Sequence, residues 1–163
     1  NEFLDAVEET NWDEFISFQK LSQKVLSATL EQDSQIVAEL IEKVHMNYAS
    51  AIEYNDENSL SSTLTIAYLS SMQYYFKPIR EMPAGYGFAD QLYVPKPQYV
   101  QKYPAILVEL KWNKNAQTAI EQIKKKHYPE SIKDYAGKIL LVGINYNKKT
   151  KEHSCQIEEF PSV

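Results

Sequence analysis

Cysteine is nearly absent from the sequence, in which Cys155 is the single example. No internal disulfide can form, which excludes a disulfide-stabilised secreted scaffold and a zinc site built from several thiolates. Long apolar runs are also missing, and no stretch approaches the roughly 20 residues that a helix needs to cross a bilayer. The first residues, Asn1–Asp5, lack the basic and apolar segments of a secretory signal. We therefore expect a cytoplasmic protein with no membrane partner.

Other familiar signals are lacking too. No Gly-Lys-Ser/Thr phosphate loop occurs, so we do not expect this chain to hydrolyse ATP itself. His45, His127 and His153 lack zinc-site spacing, and we expect each to be an ordinary surface or helix-end residue. The remaining composition, with 163 residues, 44% hydrophobic and 24% charged, is typical of one globular domain. The start at Asn rather than Met leads us to expect a fragment of a longer protein.

An excess of positive charge is also lacking, because 17 Lys and Arg residues are outnumbered by 22 Asp and Glu residues and the formal net charge is −5. That balance disfavours binding to a phosphate backbone, because affinity for it comes mainly from Lys and Arg. The distribution is uneven, however, with acidic residues crowding the first 60 positions and lysines the last third. The C-terminal part is thus able to face phosphate, although the run Lys124–Lys126 alone is equally well explained as a solvated helix face.

Apolar residues recur at helical spacing in three regions. Residues 12–54 predict two helices joined near Asp33, whose side chain is placed to cap the second helix. A third helix is expected over residues 55–72 and a fourth over residues 115–127. These helices flank a set of strand-like segments, so their packing faces should meet a sheet.

Strand patterns are predicted for residues 74–80, 88–94, 105–111, 138–146 and 153–160. The first two should form a hairpin around Gly85–Gly87, and the strand, helix, strand step over residues 105–146 predicts a right-handed parallel crossover at the centre of the sheet. The order of elements predicts an α/β fold with a mixed central β-sheet flanked by helices and an N-terminal helical extension.

The strand over residues 105–111 carries an acid and a base on one face. Side chains alternate along a strand, so Glu109 and Lys111 share a face with Leu107. Ionised groups inside an apolar run cost several kcal/mol unless they are paired or bind metal. The alternative is an exposed strand end, where the two residues form a solvated pair, and the strand alone favours neither interpretation.

Asp90 favours a metal site. It interrupts another apolar strand, shares a face with Leu92, and follows a Gly-x-Gly turn that allows close approach of a ligand. Mg²⁺ prefers carboxylate and carbonyl oxygens and usually takes one or two protein carboxylates with substrate phosphate. We predict Asp90, Glu109 and the Leu110 carbonyl as metal ligands, with Lys111 orienting or deprotonating water and stabilising transition-state charge.

Glu57 is the fourth candidate. At helical spacing it falls on the side of Leu60 and Leu64, which should face the sheet. An inward carboxylate requires a partner such as a metal. The alternative is an acidic residue in the first helical turn, where the helix dipole favours negative charge.

These residues carry a resemblance to a known family. The order of Glu57, the segment Gly85–Asp90, the segment Pro104–Lys111, Gln122 and Tyr128 resembles the PD-(D/E)XK nuclease superfamily. More narrowly, it is similar to the nuclease-like domain at the C-terminus of bacterial proteins that begin with an AAA-type ATPase domain. The resemblance covers roughly residues 30–160 and implies a restriction-endonuclease-like fold.

The resemblance implies roles for single residues. Asp90, Glu109 and Lys111 would bind metal and catalyse, and Glu57 would match the acidic residue of the first core helix. Gln122 would match a helix position facing the site, with Tyr128 as a neighbouring support. Phe88 departs from the family, whose members commonly carry Arg there, and this puts a phosphate or structural contact in doubt.

Three functions remain open from the sequence. The leading hypothesis is a Mg²⁺- or Mn²⁺-dependent nuclease that acts on nucleic acid, with DNA as the expected substrate, a helical extension at 1–54 and the nuclease domain at 55–163. The second is a non-cleaving nucleic-acid or partner-binding module that acts with an ATPase-like region of the same protein. The third is a structural domain whose acid and lysine are merely solvated. Association into a homodimer is left open.

Overall fold

The computed structural model describes residues 12–48, 57–84, 87–125, 132 and 137–160. Side chains are described for residues 16–47, 61–79, 91–125, 132 and 137–160. Tyr128 and His127 therefore lie outside the described residues, and Glu57, Phe88 and Asp90 are described by backbone position only. No helix within these ranges is long and apolar enough to cross a membrane.

All four predicted helices are present, but the third ends at Ala67 rather than near residue 72, and a 3₁₀ helix follows it. Asp33 caps the second helix as expected, because its Oδ1 accepts a hydrogen bond from the Ile36 N–H at 3.3 Å. The region predicted as the end of that helix, residues 49–54, lies outside the described residues. The helices are α1 (Trp12–Leu30), α2 (Ser34–Tyr48), α3 (Glu57–Ala67) and α4 (Ala116–Lys125).

The strand predicted over residues 74–80 is wrong for most of its length. After α3 the chain forms a 3₁₀ helix at Leu69–Gln73, and only an isolated bridge joins Tyr75 to Pro95. The ring of Tyr74 stacks on that of Tyr103 with centroids 4.3 Å apart. The aromatic residues of this segment therefore serve side-chain packing, and regular strand pairing begins only at residue 79.

The strands form one five-stranded sheet in the order β1-β2-β3-β4-β5. The expected hairpin is present, with Ala84 opposite Gly87. Strands β3 and β4 are parallel and the other neighbours antiparallel, which confirms the mixed sheet with β3 at its centre. The strands are β1 (Ile79–Ala84), β2 (Gly87–Tyr93), β3 (Ala105–Trp112), β4 (Ile139–Asn147) and β5 (Glu152–Phe160).

Alternation along β3 divides the core between two faces of the sheet. Ile106, Val108 and Leu110 belong to a cluster with buried residues of α1, α2 and α3. Leu107 belongs to a second cluster with Ile120 and other residues of α4. We call these sides the three-helix face and the α4 face. Helices α1 and α2 thus share a continuous core with the sheet in the part that is described.

Candidate functional site

Glu109 lies on the α4 face of the central strand and is buried, with 3% of its surface exposed. Its partner in the parallel register of β4 is Gly143. A Cβ built on Gly143 would lie 2.4 Å from the carbonyl oxygen of Ala116, so the start of α4 packs directly against this part of the sheet. This close approach shields the carboxylate from water, and burial of an ionised carboxylate carries a desolvation cost of several kcal/mol.

Lys111 lies two residues further along the same face. Its Nζ is 4.0 Å from Oε1 of Glu109, and its side chain is 19% exposed against 4% for the glutamate. The interpretation of these two residues as a solvated pair is therefore wrong, because the carboxylate is buried and only the lysine reaches toward solvent. A separation at the outer limit of an ion pair means that the lysine offsets only part of the cost of burying the acid.

Asp90 is placed near Glu109 by the backbone. Strands β2 and β3 pair with Gln91 opposite Val108 and Leu92 opposite Leu107. Continuing this antiparallel register by one residue puts position 90 opposite position 109. The side chain of Asp90 lies outside the described residues, so its role as a metal ligand stays a prediction.

Position 57 lies toward the same end of the sheet. Helix α3 runs in the same direction as β2, because Ser61 lies near Gln91 and the later residue Tyr68 lies near the later residue Tyr93. The Ser61 carbonyl accepts a hydrogen bond from Gln91 Nε2 at 3.0 Å, and the rings of Tyr68 and Tyr93 have centroids 5.4 Å apart. One helical turn before Ser61, roughly 6 Å along the axis, α3 begins at Glu57. That turn leads toward the C-terminal end of β3. The side chain of Glu57 is not described, and its role also stays a prediction.

The remaining predicted residues occupy different positions around Glu109. The Leu110 side chain packs on the three-helix face, so its backbone carbonyl is the group left to serve as a ligand. Gln122 is half-buried on α4, between the buried Ile120 and Ile123, on the helix that covers the face of Glu109. Its orientation toward the site stays a prediction.

Two asparagines, which sequence reasoning missed, fix the loops beside Lys111. Asn145 is opposite Lys111 in β4, is buried, and accepts a hydrogen bond from the Lys114 N–H at 2.9 Å. Asn113 has a φ of 54° and accepts one from the Lys148 N–H at 2.8 Å. The positive φ is a conformation that Asn tolerates better than most residues. The signal available in the sequence was a polar Asn at the end of the apolar strand β4.

A second buried polar cluster lies on the three-helix face, which corrects the expectation for one histidine. His153 is buried rather than at the surface, and its ring centroid is 5.5 Å from that of His45. Burial and then the nearby His45 lower the pKa of His153 to about 4, against a smaller opposing effect of Glu42. His45, in the last turn of α2, confirms the helix-end expectation. His153 is thus neutral at pH 7.

The oxygen donors at Glu109 fit a hard divalent cation. A carboxylate and a backbone carbonyl are ligands of the kind that Mg²⁺ and Mn²⁺ prefer. Among the side chains that the structure describes, no group of three His, Cys, Asp or Glu residues is arranged to hold a metal. The proposed set therefore depends on Asp90 and Glu57 in addition to Glu109. A substrate phosphate that bound a cation held by this set would also lie next to Lys111.

Comparison with known proteins gives a family match. A family of the PD-(D/E)XK nuclease superfamily matches residues 55–155, which is more than half of the chain and includes every predicted site residue. The crystal structure of a repair endonuclease from Pyrococcus abyssi is also similar, with 26% identity and a TM-score of 0.36 over 60% of this chain. The similarity covers 40% of that endonuclease, so the chain spans less than half of its length. No curated protein sequence matches the chain.

Proposed function

Because the chain belongs to the PD-(D/E)XK nuclease superfamily, we propose that it hydrolyses phosphodiester bonds at the C-terminal end of β3 with the help of a divalent metal ion. The nucleic acid that we propose is DNA, and the ion is Mg²⁺ or Mn²⁺. The proposed catalytic residues are Asp90, Glu109, Lys111, Glu57 and Gln122.

One observation carries the proposal. Glu109 is buried at 3% exposure, with Lys111 4.0 Å away on the same face and closer to solvent. A structural acid at a strand end has no need of burial, whereas a metal ligand gains from a site with few competing waters. A lysine at the solvent-facing edge of such a site is placed to contact the scissile phosphate of a bound substrate. This arrangement matches the Glu-x-Lys pattern from which the superfamily takes its name.

The proposed division of labour follows from the chemistry of each side chain. Bound at this site, Mg²⁺ or Mn²⁺ would polarise a phosphoryl oxygen and lower the pKa of a coordinated water. Glu109 and the Leu110 carbonyl are the donors from β3, and Asp90 and Glu57 complete the set. The Lys111 side chain orients the attacking water or, as the neutral amine, accepts its proton; as the ammonium it stabilises negative charge that develops on the phosphoryl oxygens. Gln122 supports the site from α4.

We propose the domain division that the sequence predicts, with a helical extension at residues 1–54 and the nuclease domain at residues 55–163. The family match beginning at residue 55 supports the boundary. The resemblance to nuclease-like domains that follow an AAA-type ATPase supports a further proposal, that an ATPase-like region belongs to the same protein.

A DNA cleavage assay tests the function. Supercoiled, linear duplex and single-stranded DNA are incubated with the chain in Mg²⁺, Mn²⁺ or EDTA, and the rate is compared with Lys111→Ala and Lys43→Ala. Lys43 is exposed on α2 and provides a control of equal charge. We expect metal-dependent cleavage that Lys43→Ala retains and that falls about 10²- to 10⁴-fold in Lys111→Ala, the usual range for loss of a proton-transfer group.

Two outcomes would reject parts of the proposal. Equal rates for the two lysine variants would remove Lys111 from the site. Tight DNA binding without cleavage at any metal concentration would favour a non-cleaving binding module instead.

A further inference from the structure

The turn between β4 and β5 presents three exposed lysines on a well-defined backbone. The Asn147 Oδ1 accepts hydrogen bonds from the N–H groups of Lys149 at 3.0 Å and Thr150 at 3.1 Å. The Lys151 N–H donates to the Asn147 carbonyl at 2.7 Å, and Lys151 has a φ of 60°. Asn147 therefore orders the turn from inside, and the side chains of Lys148, Lys149 and Lys151 remain exposed.

A fourth lysine is attached to this turn by hydrogen bonds. Lys114 follows β3, and its N–H donates to Asn145 of β4 at 2.9 Å. The preceding Asn113 accepts from the Lys148 N–H at 2.8 Å and donates its own N–H to the Tyr146 carbonyl at 2.8 Å. The loop after β3 and the turn after β4 thus hold each other in place. We call Lys114, Lys148, Lys149 and Lys151 the lysine rim.

The lysine rim lies at the same end of the sheet as Glu109 and Lys111. Strands β3 and β4 are parallel, with Lys111 opposite Asn145, so both strands end at one edge. The loop carrying Lys114 begins two residues after Lys111. The rim is therefore continuous along the chain and across the sheet with the proposed catalytic site.

Two other lysines of the C-terminal third are paired with carboxylates of β5. Lys124 pairs with Glu158, and Lys138 Nζ lies 3.0 Å from Glu159 Oε1. Within the ranges described, none of the rim lysines forms an ion pair with a carboxylate. Their charge is thus available to a ligand, although Glu152 at the start of β5 partly reduces the local field.

We propose that the lysine rim binds the phosphate backbone of the nucleic acid and leads it across the C-terminal edge of the sheet to Lys111. This inference rests on the proposed function and names the surface that the substrate occupies. Each phosphate neutralised by a lysine releases condensed counterions, which favours binding at low salt. Contacts between lysine ammonium groups and backbone phosphates carry no direct sequence information, so binding through the rim should be independent of sequence. The positive charge of the rim lysines offsets the repulsion between the phosphate backbone and a chain of net charge −5.

Salt-dependent binding tests the rim. Fluorescence anisotropy of a labelled 20-base-pair DNA duplex measures affinity between about 50 and 200 mM NaCl, in a Lys111→Ala background that prevents cleavage. The test variant is Lys148→Gln, Lys149→Gln and Lys151→Gln combined. The control combines Lys20→Gln, Lys24→Gln and Lys43→Gln, which remove equal charge from exposed positions on α1 and α2. Circular dichroism verifies that both variants are folded.

We expect the slope of log K against log salt concentration to become shallower by about 2 to 3 in the rim variant, at about 0.9 for each lost phosphate contact. The control should keep the parental slope. Equal slopes in the two triple variants would overturn the proposed role of the rim, whereas cleavage by the chain with native Lys111 would still support the proposed function. Absence of any DNA binding by the Lys111→Ala parent would also overturn the proposed role of the rim. Absence of cleavage by the chain with native Lys111 would separately reject the proposed function.

Discussion

Two halves of the α4 face differ sharply in chemistry although the same two strands build both. At the N-terminal half, Leu107 and Leu141 are fully buried in one cluster with Ile120 and Ile123 of α4. Two residues after Leu107 the same face carries Glu109, and two residues after that it carries Lys111 with Asn145 opposite in β4. The first half follows the rules of a close-packed core, and the second breaks them. Such local departures from the rules of packing are expected where function is located rather than stability.

The largest expected effect comes from the polar half. Glu109→Gln keeps the side-chain volume and removes the charge, so we expect DNA cleavage to fall at least about 100-fold through loss of a metal ligand. Its free energy of unfolding should not decrease, because the buried carboxylate is costly to the folded state. Cleavage rates and urea denaturation of this one variant check both statements. A large loss of stability with normal cleavage would mean that Glu109 serves stability rather than function, which is the role that this account gives to the apolar half.

The apolar half should give the opposite result. Leu107→Ala removes a fully buried side chain, and we expect a loss of about 2 to 5 kcal/mol in the free energy of unfolding. The folded fraction should retain metal-dependent cleavage, because Leu107 touches neither the metal nor the phosphate in this account. Denaturation at 25 °C and cleavage under conditions where the variant is fully folded separate the two effects.

The buried histidine of the three-helix face extends the comparison to pH. The pKa of His153 falls from 6.5 in the unfolded chain to about 4 in the folded one. Between these values the unfolded state binds the extra proton, so stability is lost as pH decreases from about 6.5 to 4, by up to about 3 kcal/mol. His153→Gln should lose less stability than the parental chain between pH 7 and pH 4.5. Parallel losses measured by urea denaturation would show that His153 is not the group responsible.

The smallest effect is expected at the junction of the two halves. Gly143→Ala adds a Cβ that would meet the Ala116 carbonyl at 2.4 Å, so the start of α4 must move away from β4. We expect a loss of about 1 to 3 kcal/mol in stability, as for other overpacked sites. Cleavage should also fall, because Gly143 is opposite Glu109 in the sheet. Unchanged stability would mean that α4 is not held as closely as the structure indicates.

The sequence predicted what depends on local periodicity. The alternation along residues 105–111 placed Glu109 and Lys111 on one face correctly, and the Asp33 cap was visible in the residue type alone. The aromatic segment at Tyr74 was misassigned, because strand-like composition does not reveal stacking on Tyr103, which is decided by tertiary contact. The burial of His153 was missed for a similar reason, since helix α2 packs against β5 and covers it.

The site was predictable to a lesser extent. The hydrogen bonds of Asn113 and Asn145 join residues 35 and 31 positions apart, which no local pattern encodes. The burial of Glu109 depends on the close approach of α4 to Gly143, a contact between separate elements. The metal roles of Asp90 and Glu57 remain predictions from sequence and backbone position.

Binding of Mn²⁺ tests most directly whether the polar half of the α4 face is a metal site. Calorimetric titration of the folded chain is compared with Glu109→Gln, Lys111→Ala and the β5 control Glu158→Gln. We predict at least a tenfold loss of affinity in Glu109→Gln, in the range seen when metal sites lose supporting oxygen groups, and near-parental affinity in the other two. Equal affinity in the parental chain and Glu109→Gln would contradict the account, because the buried carboxylate would then have no metal to hold.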